Sequence, residues 1–144
     1  MRKLLIAICA AAALVPAIGL GTAGAQGSAV NATAAPAPGS AQRRAILDAL
    51  RRAIERRLGP DVEFVVRDMR VANGWAFVMA DPQRRGGRPI DGRRHFRNFD
   101  EMDGLTVTAL LNFRAGRWTL VDHAIGATDA WYCGRGPSRA VTRC

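Results

Sequence analysis

Apolar residues alternate with polar ones through the middle of the chain. Val62, Phe64 and Val66 alternate with Glu63, Val65 and Arg67, after which the inward positions pass to Met69 and Val71. A slip of one residue exchanges the two faces of a strand, so this change predicts a bulge near Arg67-Asp68. Asn73-Gly74 follows, two residues that accept the positive φ of a type I′ hairpin turn. The next run, Trp75-Ala-Phe-Val-Met-Ala, is apolar on both faces and ends at Asp81-Pro82. A strand of that kind is central and covered twice, or covered once and lining a cleft.

A second hairpin repeats the pattern. Leu105, Val107, Ala109, Leu111 and Phe113 fall on one face, Ala115-Gly116 makes a tight turn, and Trp118, Leu120 and Val121 carry a fourth strand to about Ile125. Upstream the period changes. Ile46, Ala49, Leu50, Ala53, Ile54, Arg57 and Leu58 recur at steps of three and four, the inner stripe of an amphipathic helix. Ser40 is placed to cap its start, and Gly59-Pro60 to end it. These elements predict an α+β fold: one N-terminal amphipathic helix packed on a four-stranded antiparallel sheet made of two hairpins.

Between the hairpins, residues 83–104 lose all periodicity and carry Arg84, Arg85, Arg88, Arg93, Arg94 and Arg97. A connection this long inside a small domain is functional or disordered.

The ends of the chain divide the remainder. Met1-Arg-Lys precedes an apolar run from Leu4 to Leu20, and Ala23-Gly-Ala25 supplies small residues at the cleavage positions. Residues 1–25 therefore read as a signal peptide, leaving no stable membrane span after its removal. Residues 26–39, uncharged and rich in Ala, Gly, Pro and Ser, read as a flexible linker. The folded domain is expected over 40–132, with 133–144 as a closing tail. Losing Cys9 with the signal peptide leaves Cys133 and Cys144, an even pair that an oxidising compartment would join. A free or intermolecular pair is the alternative.

Charge changes the picture more than composition does. The chain carries a formal charge of +9, and removal of Arg2 and Lys3 leaves 19 arginines against 12 acids. Such an excess implies attraction to anions, and arginine adds bidentate contacts to carboxylate or phosphate. Metal chemistry finds no support in two histidines without a ligand motif, and no cofactor is implied. Serine nucleophiles lack their turn context. One catalytic pairing is left, Asp122 with His123 on the fourth strand, where a carboxylate could orient an imidazole as a base.

Two strings, Trp75-Ala-Phe-Val-Met-Ala-Asp-Pro-Gln and Gly116-Arg-Trp-Thr-Leu-Val-Asp-His-Ala-Ile-Gly-Ala-Thr-Asp, resemble uncharacterised small secreted proteins of proteobacteria. The resemblance spans about residues 43–132 and implies export and a shared fold, without an activity. The order of helix and sheet is similar to the cystatin and nuclear-transport-factor-2-like rolls at the level of architecture alone.

The sequence thus points to an exported, periplasmic or secreted, non-enzymatic module that binds an anionic envelope component or a protein partner. The expected ligand contacts are Arg84, Arg85, Arg88, Arg93, Arg94, His95 and Arg97, with Trp75 lining a cleft. Acidic Asp100, Glu101 and Asp103 beside the loop, together with export, disfavour nucleic acid. The alternative is a small hydrolase or isomerase-like roll using Asp122 and His123. Oligomeric state is left open.

Overall fold

A computed structural model describes residues 33–135 and 138–144. The expected signal peptide and residues 26–32 of the expected linker lie outside the described residues. Helix α1 (Ala41–Leu58) precedes strands β1 (Val62–Ala72), β2 (Trp75–Arg84), β3 (Val107–Arg114) and β4 (Arg117–Ile125), and a single turn α2 (Arg139–Thr142) follows. The strands form one antiparallel sheet in the order β1-β2-β3-β4, so the fold is α+β.

Local chemistry accounts for the element ends. The Ser40 hydroxyl accepts a hydrogen bond from Arg43 N at 3.2 Å, filling one orphan donor of the first turn of α1. Gly59, at φ 81°, stops the helix while its N–H donates to Glu55 O at 2.8 Å. Asn73 and Gly74 both take positive φ, as do Ala115 and Gly116. These are the conformations a two-residue hairpin turn demands.

The bulge expected near Arg67 is present, because Val66 pairs with Ala80 and Asp68 with Met79, leaving Arg67 unpaired. A second one occurs where none was expected. Leu111 pairs with Leu120 and Leu110 with Asp122, so Val121 is the extra residue and stands 49% exposed. Strand β2 also runs past the expected stop at Asp81-Pro82. Its pairing with β3 ends at Ala80, so residues 81–84 pair only with β1 and Pro82 leaves no neighbour without a donor. Strand β3 begins at Val107, two residues later than expected.

The doubly apolar β2 divides two clusters. On one face Ala76, Val78 and Ala80 join Val107, Ala109 and Leu111 and the helical Ile46, Leu50, Ile54 and Leu58 in a single cluster. The opposite face gathers Ala72, Phe77, Leu110 and Val141, flanked by Trp75, Trp131 and Tyr132. Tyr132 lies 4.7 Å from Phe77, centroid to centroid, and Trp131 Nε1 donates to Thr108 Oγ1 at 2.8 Å. The C-terminal segment is therefore the second cover that β2 requires.

That packing moves both expected domain boundaries. Ser138 and Val141 of the tail are fully buried, so the folded unit continues past residue 132. Ala34, inside the expected linker, exchanges two backbone hydrogen bonds with Val71 at 2.8 and 2.9 Å, and Thr33 Oγ1 donates to Ala140 O at 3.0 Å. An exposed sheet edge offers unpaired backbone groups that even a compositionally bland segment can use. Cys133 and Cys144 are joined, with Cα atoms 5.5 Å apart, and the bond ties α2 to the end of the Trp131-Tyr132 cover. Among the described residues no helix is long and apolar enough to cross a membrane.

Candidate functional site

The arginine-rich connection is built into the protein instead of standing away from it. Ile90, Phe96 and Leu105 pack against the helix-side cluster. Gly92 faces the Phe99 ring so closely that a Cβ there would fall 2.1 Å from it. Arg57 of α1 stacks over Phe96 at 5.1 Å.

Three of its six arginines are engaged. Arg84 donates to Leu58 O, to Gly59 O at 3.1 Å and to Pro60 O at 2.6 Å, satisfying carbonyls left open by the end of α1. Arg93 holds Asp100 through two bonds of 2.6 and 2.9 Å, and Arg94 lies 3.3 Å from Asp91. His95 is half-buried, and its backbone N–H donates to Gly92 O at 3.0 Å. Only Arg85, Arg88 and Arg97 of the expected set are exposed with no carboxylate in reach among the described residues. Trp75 packs with the aromatic cluster under the tail, not in a cleft.

Asp122 and His123 do not form a pair. Neighbouring residues of a strand point to opposite faces. Asp122, opposite Leu110, lies on the tail side, where its Oδ2 is 3.5 Å from Arg135. His123, opposite Ala109, lies on the helix side. The bond between them runs from the His123 backbone N–H to Asp122 Oδ1 at 2.9 Å, leaving the imidazole uninvolved. Burial holds the His123 imidazole below its usual pKa; the Asp122 carboxylate opposes this, and the Arg56 and Arg57 guanidiniums reinforce it. No group of three metal-ligating side chains occurs among the described residues.

A separate concavity lies elsewhere among the described residues. A cleft of about 880 Å³ opens between the N-terminal half of α1 and the turns of both hairpins. Ala45 and Ala49 form its helical wall, Val71 faces them from β1, and Phe113 and Trp118 close one end with ring centroids 5.3 Å apart. Phe113 keeps its expected place on the helix side of β3 yet is 48% exposed, because the apolar side chains that α1 contributes to the cleft are the alanines Ala45 and Ala49. Arg52 and Arg117 also line the cleft, and neither has a carboxylate within salt-bridge distance among the described residues. The one acid in the lining, Asp48, is held by Arg51. The cleft therefore offers an apolar trough with two uncompensated cations.

A second concavity of about 460 Å³ lies beside Arg67, Asp81 and Thr106. Its one cation is already matched, since Asp81 takes Arg67 on one oxygen and Thr106 Oγ1 on the other at 2.8 Å, and the remaining charge in the lining, Asp103, is an acid.

Sequence reasoning missed Arg52 and Arg117: Arg52 is one of six arginines on α1 among which the sequence offers no choice, and Arg117 stands outside any arginine-dense run. A usable signal was present: Ala45 and Ala49, four apart, flank the stripe of Ile46, Leu50 and Ile54, thinning the helix where it faces the second hairpin turn. No protein-family model, curated protein or solved structure matches the chain.

Proposed function

We propose that this chain is an exported, non-enzymatic binding module for an anionic envelope component, and that the ligand enters the cleft between α1 and the hairpin turns. The observation that carries this reading is the juxtaposition of an apolar trough with Arg52 and Arg117, two guanidiniums without protein counter-charges among the described residues. Ligand sites of this size combine a mostly apolar lining with a few polar groups that orient the guest. Export is supported by the pattern of residues 1–25 and by the joined Cys133–Cys144 pair. The hydrolase alternative loses its support because Asp122 and His123 occupy opposite faces of the sheet.

Titration with anilinonaphthalene sulfonate, an apolar anion with intrinsic fluorescence, tests the site. One saturable site is expected, weakened by the double change Arg52→Ser/Arg117→Ser and unaffected by Arg85→Ser/Arg88→Ser/Arg97→Ser. The reverse pattern would return binding to the loop.

A further inference from the structure

Resting on that reading of the cleft, we infer that its ligand is a free single-chain amphiphile with a carboxylate head, a fatty acid. Three features of the cleft carry this.

The first is shape. Gln42, Ala45, Ala49 and Arg52 succeed one another along α1 at steps of three, four and three, so they line one side of the trough. Ten residues of helix span about 15 Å, which makes the trough elongated. Its walls on both sides are small: Ala45 and Ala49 on the helix, Ala34 and Val71 along the β1 edge. An elongated groove with methyl walls suits a flexible methylene chain.

The second is the end of the trough. Phe113 and Trp118 meet at an interplanar angle of 55°, so they present a bent apolar surface instead of a parallel slot for a flat ring. A chain can follow that surface and bury its methylenes against it.

The third is charge. With Asp48 neutralised by Arg51, the lining carries two uncompensated guanidiniums, and a guanidinium fork matches the two oxygens of a carboxylate. An anionic head and an apolar chain together satisfy both parts of the lining; either alone leaves one part unmatched.

The test is titration of the full chain with laurate, read by tryptophan fluorescence and calorimetry, alongside dodecanol, laurate chains presented as phosphatidylcholine vesicles, and anilinonaphthalene sulfonate. Laurate is expected to bind saturably at one site and dodecanol at least about tenfold more weakly, the loss of one charge-assisted contact. Vesicles should not bind. Arg52→Ser/Arg117→Ser should weaken laurate by about tenfold or more and leave dodecanol unchanged. Ala49→Trp should abolish both. If Ala49→Trp does not fold, Ala45→Trp, at an exposed position, blocks the same trough. Equal affinity for laurate and dodecanol overturns the carboxylate, and binding to vesicles alone overturns the free amphiphile. Cleft-dependent binding of anilinonaphthalene sulfonate without laurate binding overturns the fatty acid and leaves the cleft standing. Binding of any probe that survives both tryptophan variants overturns the cleft itself.

Discussion

The two ends of α1 meet the sheet in opposite ways. Toward its C-terminus, Ile54 and Leu58 are fully buried, Phe96 closes the side beneath Arg57, and Arg84 is held by three main-chain carbonyls. Toward its N-terminus, Ile46 and Leu50 are buried too, but the side next to them carries only the apolar Ala45 and Ala49, Phe113 stands half exposed, and Arg52 and Arg117 find no counter-charge among the described residues. The same residue type thus serves structure at one end and remains available at the other. Arginine density along the chain does not measure ligand affinity; what matters is whether acceptors already stand within reach of each guanidinium.

If that contrast is correct, changes at the closed end should cost stability and leave binding intact, and changes at the open end should do the reverse. The largest effect belongs to neither end and calibrates both. Replacing Cys133 and Cys144 by serine releases the tail that covers Phe77, and for an 11-residue separation the loss is about 3 kcal/mol in chemical denaturation. Because the tail covers the sheet face opposite α1, probe binding should persist wherever the variant is folded.

Arg84→Ala comes next. It deprives Leu58, Gly59 and Pro60 of their donor and is expected to lower unfolding free energy by about 2 kcal/mol. An unchanged midpoint with impaired binding would mean that Arg84 serves a ligand instead of the helix end.

A smaller effect depends on pH. Burial keeps the folded-state pKa of His123 below the usual value of about 6.5. Below that pH the unfolded chain takes up a proton that the folded one resists. The associated stability is complete above about pH 6.5, declines as pH falls toward the folded value, and is level beneath it. His123→Gln should remove this component of the curve between pH 7 and 5; an identical curve would place the acid sensitivity elsewhere.

The smallest stability change lies at the open end and has the opposite sign. Ala115 holds φ 49° at the hairpin turn, a conformation that favours glycine or asparagine. Ala115→Asn is expected to raise the thermal midpoint, by roughly 0.5 kcal/mol of added stability. Serine at Arg85, Arg88 and Arg97 should alter neither stability nor binding measurably, since all three side chains stand exposed without a carboxylate partner among the described residues.

The elements and much of their order follow from local sequence. The step of three and four from Ile46 to Leu58, the alternation from Val62 to Val71, the slip at Arg67 and the turns at Asn73-Gly74 and Ala115-Gly116 are local properties, set by residues within a few positions of one another. That is why the four-stranded antiparallel sheet was legible. The need for a second cover over Trp75–Ala80 was legible too, because a strand apolar on both faces cannot leave either in water.

Tertiary structure alone decided what that cover is and where a site remains. Tyr132 reaches Phe77 across 55 residues of chain, and Ala34 reaches Val71 across 37, distances over which no periodicity speaks. The Val121 bulge was hidden because Leu120 and Val121 are both apolar, and only pairing with Leu110 and Leu111 reveals which one is extra. The candidate site was the least legible part. It arises from what α1 lacks at Ala45 and Ala49, and from two arginines whose freedom depends on which carboxylates the fold brings near. A cavity and an unpaired charge are properties of three-dimensional neighbours, and a one-dimensional pattern contains neither.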